Sequence, residues 1–148
     1  MKSSSGITLI ELTIVMAVML IVTGVVVTGV NNMPYRHLQN ASRRLQADMR
    51  YAQRRAIIEG REVVVSFSPR DNRYTVGTPG NIEVFQRVYF RNGVQIGRPD
   101  LSNAFVVNYT PRGTVGNSTE IMLYNGELSQ RLTVLVASGR VEIFPITQ

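Results

Sequence analysis

Glu11 is a single carboxylate inside an otherwise apolar run over residues 7–30. A charged side chain within a membrane-spanning helix costs about 2.5–3.5 kcal/mol on insertion scales, so it calls for a partner. The run contains no Lys, Arg or His. The counter-charge must therefore come from another molecule, either a neighbouring chain or a free α-amine. The chemistry on offer is ion pairing in an apolar medium.

The residues ahead of Glu11 indicate where such an amine arises. The chain opens Met1-Lys2-Ser3-Ser4-Ser5-Gly6 and continues Ile7-Thr8-Leu9-Ile10-Glu11-Leu12. A secretory signal has an apolar core of about 7–15 residues and a small-residue cleavage site after it. This run is longer, and no Ala-x-Ala site follows it. Its length suits a membrane span, which takes ~20 apolar residues at ~1.5 Å each. The cut that fits lies before the run, after Gly6. It would expose an α-amine on Ile7, a group with a reference pKa near ~8 and so cationic or nearly so at neutral pH. That amine is a natural counter-charge for Glu11 of an adjacent copy.

The segment Gly6-Ile7-Thr8-Leu9-Ile10-Glu11-Leu12, behind a short basic leader and ahead of the apolar run, resembles the prepilin signature of type IV pilins and type II secretion pseudopilins. The resemblance implies that a membrane peptidase cleaves after Gly6 and methylates the amine of Ile7. It also implies that Glu11 pairs with a neighbour's N-terminus during filament assembly. Two positions depart from the family pattern: Ile7 stands where Phe is usual, and Ser5 where Lys or Arg is common.

The elements that must carry these residues divide the chain into four stretches: a leader over 1–6, an apolar helix over 7–30, an amphipathic continuation over 31–60 and a β-rich domain over 61–148. Asn31-Asn32-Met33-Pro34 punctuates the chain, since Pro34 lacks an amide hydrogen and crowds the carbonyl of Val30. In the second helix Leu38, Ala41, Leu45, Met49, Ala52 and Ala56 recur at three- and four-residue spacing and predict one narrow apolar stripe. Gly60 is a helix terminator. The remainder reads as short strands over 63–67, 72–77, 82–90, 104–110, 119–124, 128–137 and 140–144. Phe105, Val107 and Tyr109, and Leu132, Val134 and Val136, alternate at period two. Asn92-Gly93, Asn125-Gly126 and Ser138-Gly139 read as hairpin turns. The fold class is α+β: a long N-terminal helix on an antiparallel sheet or small sandwich.

Within the superfamily the pattern resembles the H-type minor pseudopilins and related minor pilins. The residues that carry this likeness are Ala52-Gln53-Arg54-Arg55-Ala56 ahead of the strand at Val63, then Phe105, Gly113, 121–124, 132–136 and Gly139-Arg140-Val141. The acidic calcium loop of the major pseudopilins is not visible. What the likeness implies is a structural subunit of a type II secretion or type IV pilus filament. It would be anchored by one span in a bacterial inner membrane, with its C-terminal domain outside the cytoplasm. Its partners would be other pilin or pseudopilin subunits, the prepilin peptidase and methylase, and inner-membrane lipid. Loop charge argues the other way on orientation, because Arg36, Arg43 and Arg44 outnumber Lys2 near the span. That rule is weak for long domains, however.

Other chemistry is thin. The chain has no cysteine, so burial rather than disulfides must hold the domain. His37 is the only histidine and has no acid or nucleophile beside it in sequence. No carboxylate pair, metal-ligand spacing or phosphate loop stands out, and neither an enzyme nor a cofactor is expected. The net charge of +6 is concentrated: residues 35–61 hold seven arginines against Asp48 and Glu59, a balance of +5. Arg43, Arg44, Arg50, Arg54, Arg55 and Arg140 are candidates for polyanion contact. Some minor pilins take part in DNA uptake through a Gly-Arg-x-Arg segment. Here it reads Gly139-Arg140-Val141-Glu142, with an acid in place of the second arginine, so DNA is carried as the second-choice partner. A membrane-anchored domain that does not assemble is a third reading.

Overall fold

The computed structural model describes residues 8–31, 33–97 and 104–147, and side chains throughout these except over 24–31. The chain divides into two compact units, Met1–Met33 and Pro34–Gln148. Gly6 and Ile7 lie outside the described residues.

The first unit is carried by α1 (Leu9–Asn31). Thr8 caps it, with its hydroxyl accepting from the amide of Glu11 at 3.3 Å and its carbonyl from the amides of Glu11 and Leu12. Thr-x-x-Glu is the sequence of a capping box, so the local chemistry that starts the helix also fixes Glu11 in its first turn. The helix is apolar on every side, unlike the one-faced helix of a water-soluble domain. Among the described residues no helix is long and apolar enough to cross a membrane. The described side chains of α1 reach only to Thr23.

All of α2 (Met33–Glu59) after its first residue belongs to the second unit. Pro34 falls in its first turn, where a missing amide donor costs nothing. Gly60 ends it at a φ of +63°. The expected stripe is buried at Leu38, Leu45, Met49, Ala52 and Ala56, with Ala41 half-buried and Ser42 added to it.

Eight strands follow among the described residues: β1 (Val63–Ser68), β2 (Arg73–Gly77), β3 (Val84–Tyr89), β4 (Gln95–Gly97), β5 (Phe105–Tyr109), β6 (Thr119–Asn125), β7 (Leu128–Val134) and β8 (Val141–Thr147). They form two antiparallel four-stranded sheets, ordered β3-β2-β1-β5 and β4-β6-β7-β8. Both sheets and α2 contribute to one hydrophobic core. Phe67 stacks on Phe105 with ring centroids 4.6 Å apart, and Tyr74 packs beside them. Each fully buried aliphatic or aromatic side chain contributes about 1.5–3 kcal/mol.

Three sequence expectations change. Asn92-Gly93 does turn, with both residues at positive φ, but it joins strands of different sheets rather than a hairpin. The side chain of Asn72 holds this crossover, donating to the Val94 carbonyl at 2.7 Å and accepting from the Ile96 amide at 3.1 Å. That crossover also starts β4, a strand too short to announce itself by periodicity. Third, β7 ends at Val134 and Val136 is exposed, because Leu135 already belongs to the turn, where it accepts from Gly139 and donates to Arg140. β8 runs on through Pro145, which an edge strand tolerates because one row of its amides has no ladder partner.

Candidate functional site

On α1 the site is defined by what the helix leaves unmatched. Thr13 returns its hydroxyl to the carbonyl of Ile10 at 2.8 Å, and Thr23 to that of Met19 at 2.7 Å. Thr8 is used as the cap. These hydroxyls are satisfied within the helix, as an apolar surrounding requires. Glu11 is exposed, and its carboxylate has no partner among the described residues. Every large apolar side chain from Leu9 to Val22 is more than half exposed. A continuous apolar surface of this kind calls for cover by lipid or by protein.

On α2 the polar side chains divide by direction. Asp48 faces β2 and β3: it accepts from the Tyr74 hydroxyl at 2.5 Å and from Gln86 at 3.1 Å, and lies 3.9 Å from Arg44. Burial, with Asp48 adding to it, pushes the Tyr74 hydroxyl far above its ordinary range. Arg55 pairs with Glu59, donates to Tyr51 and lies over the Phe85 ring at 3.5 Å. Arg61 bridges Glu59 and Glu83 at 2.6 and 2.8 Å, and holds the Glu59 carboxyl below its usual range. On the opposite flank Ser42 donates to buried Gln130 at 2.5 Å, Gln46 to the Val141 carbonyl at 2.8 Å, and Gln53 to the carbonyls of Gly113 and Ser138, both at 2.7 Å.

The six arginines singled out from sequence differ in what they touch. Arg44 and Arg55 are engaged by the fold's own acids. Arg43, Arg50 and Arg54 are exposed, without an ion pair among the described residues. Arg140 is exposed in the β7–β8 turn, its amide donating to Ser138 at 3.3 Å. His37 is half-buried, 3.5 Å from the Asn92 amide nitrogen. Among the described residues no group of three or more His, Cys, Asp or Glu could hold a metal ion.

The model of the type II transport protein GspH matches residues 41–139. The chain belongs to the GspH family. The match begins inside α2 and stops at Gly139, so it takes in most of the buried helix face, strands β1 to β7 and the Gln53 contacts, but not Leu38, β8, Gly6, Ile7 or Glu11.

This GspH-family chain has the fold of two solved proteins. The type IV minor pilin FimU of Pseudomonas aeruginosa is 15% identical, with a TM-score of 0.63 over 75% of this chain and 90% of FimU. The minor pseudopilin EpsH from the type 2 secretion system of Vibrio cholerae is 14% identical, with a TM-score of 0.56 over 73% of this chain and 96% of EpsH. No curated protein sequence matches the chain.

Sequence reasoning missed the polar contacts that fasten α2 to the sheets. Ser42, Gln46, Gln53 and Gln130 carry no motif. Their one signal is position: Gln46 and Gln53 sit seven residues apart on the flank of the apolar stripe, where a long amide reaches a neighbouring carbonyl.

Proposed function

We propose that this chain is a minor pilin or pseudopilin subunit that is processed after Gly6, methylated on Ile7 and recruited into a filament through Glu11. The single observation that carries the reading is the carboxylate of Glu11, unmatched among the described residues, on a helix whose described hydroxyls are satisfied internally. A neighbour's new α-amine supplies the missing charge, and low dielectric makes that pair stronger than it would be in water. The apolar surface of α1 is covered first by inner-membrane lipid over residues 7–30 and then by the α1 helices of other subunits. The β-rich unit stands outside the cytoplasm and contacts other minor subunits. The role is structural rather than catalytic. Membership of the GspH family and the shared minor-pilin fold support the assembly reading.

Intact-mass measurement of the chain recovered from membranes tests the processing step. The expected species lacks residues 1–6 and carries one added methyl group. A full-length species that persists in cells containing an active prepilin peptidase would contradict it.

A further inference from the structure

Four arginines of α2 form a line that the fold does not use. At 100° per residue, Arg36, Arg43, Arg50 and Arg54 fall within about 40° of one another, on the side opposite Leu38, Leu45, Met49, Ala52 and Ala56. They follow at intervals of seven, seven and four residues, a straight line ~27 Å long at ~1.5 Å per residue. All four are exposed. None has an ion pair among the described residues, whereas Arg44, Arg55, Arg61 and Arg73 all do. Arg50 and Arg54 stand one turn apart, a like-charge pairing that disfavours the helix. Gln39, Asn40 and Ala47 lie between the arginines on this side, and Ala47, the smallest, leaves room mid-line for another backbone to come close.

We propose that this line is the docking face for an acidic helix of a different polypeptide, one whose carboxylates recur at matching spacing. The proposal rests on the reading that the chain is a subunit of an assembly. A seven-residue interval keeps the charges nearly parallel to the helix axis, which suits a second helix lying alongside at a shallow angle. A second copy of this chain is the wrong occupant. It would bring arginine against arginine, and the two acids of α2, Asp48 and Glu59, are already taken by Tyr74, Gln86, Arg55 and Arg61. A duplex is the poorer fit, because Arg44 and Arg55, which would widen the line toward a groove, are held by those same acids. The like charge thus selects against runs of identical subunits along this face and favours a heterologous neighbour.

Binding to the full chain in detergent at low salt tests this. The probes are fluorescent helical peptides with glutamates at seven-seven-four spacing and its reverse, a peptide of equal composition with scrambled spacing, and a short DNA duplex. One matched peptide is expected to bind about tenfold tighter than the scrambled one, as four exposed pairs would allow. The difference should vanish in the Arg36→Gln, Arg43→Gln, Arg50→Gln, Arg54→Gln variant, which should still melt as the parent does. Equal binding of matched and scrambled peptides overturns the proposal, as does tighter binding of the duplex. The chain has no cysteine, so Ala47→Cys places a unique thiol on the line. Under oxidation it should stay monomeric, and a disulfide-linked dimer of this chain overturns the choice of partner. Leader removal and filament entry, scored separately, report on the assembly reading alone.

Discussion

Gly139 lies against the backbone of Gly113: a Cβ on Gly139 would sit 2.2 Å from the Gly113 carbonyl oxygen. That carbonyl also accepts from Gln53, which holds the neighbouring Ser138 carbonyl as well. Here α2, the turn after β5 and the β7–β8 turn meet. Gly139 is also at a φ of +61°. Gly139→Ala therefore adds a clash to a left-handed backbone and should cost about 2–4 kcal/mol. Thermal unfolding followed by circular dichroism should show the melting temperature of the second unit falling by about 10 °C or more. An unchanged melting temperature would mean that this contact is not made.

Ser42 and Gln130 form a buried polar pair across α2 and β7. Ser42→Ala leaves the Gln130 carbonyl oxygen without its donor and should cost about 1–3 kcal/mol. Adding Gln130→Leu removes the stranded group, so the double variant should lose less than the two single losses summed. Denaturant unfolding of all four proteins would reveal a coupling of about 1 kcal/mol. Strict additivity would show that the pair does not form.

The arginines of α2 should separate by what they touch. Arg55→Ala removes the Glu59 and Phe85 contacts and should destabilise the fold by about 0.5–1.5 kcal/mol. Arg50→Ala and Arg54→Ala remove like charge and should be neutral or slightly stabilising, within about 0.5 kcal/mol. The same unfolding assay ranks them, and a loss on Arg50→Ala equal to that on Arg55→Ala would reject the division of the helix into used and unused faces.

Alkaline pH should unfold the second unit through its tyrosines. Burial raises the hydroxyls of both Tyr74 and Tyr109 well above the unfolded reference of about 10. A raised folded pKa contributes stability that is complete below the unfolded value and is lost as pH climbs from there toward the folded one. The melting temperature should show no tyrosine-driven fall below about pH 10 and then drop. The Tyr74→Phe, Tyr109→Phe variant should show a shallower drop.

How much of this was legible beforehand follows from which forces are local. The stripe Leu38, Leu45, Met49, Ala52, Ala56 and the alternation Phe105, Val107, Tyr109 were readable, because helix and strand periods write burial directly into spacing. Asn125-Gly126 and Ser138-Gly139 were readable because positive φ restricts residue choice. The partition into two sheets was not. Asn92-Gly93 has the local chemistry of a hairpin, and only the distant anchor at Asn72 sends the chain to the other sheet. Nor could the sequence separate Arg55 from Arg54: one residue rotates the side chain by about 100°, from solvent to Phe85. Asp48 read as an isolated counter-charge, although its principal partner, Tyr74, lies on another element.

Glu11 is the residue on which the proposed assembly depends. The most direct measurement is the fraction of Glu11→Leu subunit recovered in sheared filaments, beside the fraction inserted and cleaved in membranes. The substitution keeps the helix apolar and removes only the charge, so insertion and leader removal should match the parent while entry into filaments falls at least about tenfold. Filaments that take up Glu11→Leu as readily as the parent would contradict the charge-pairing mechanism.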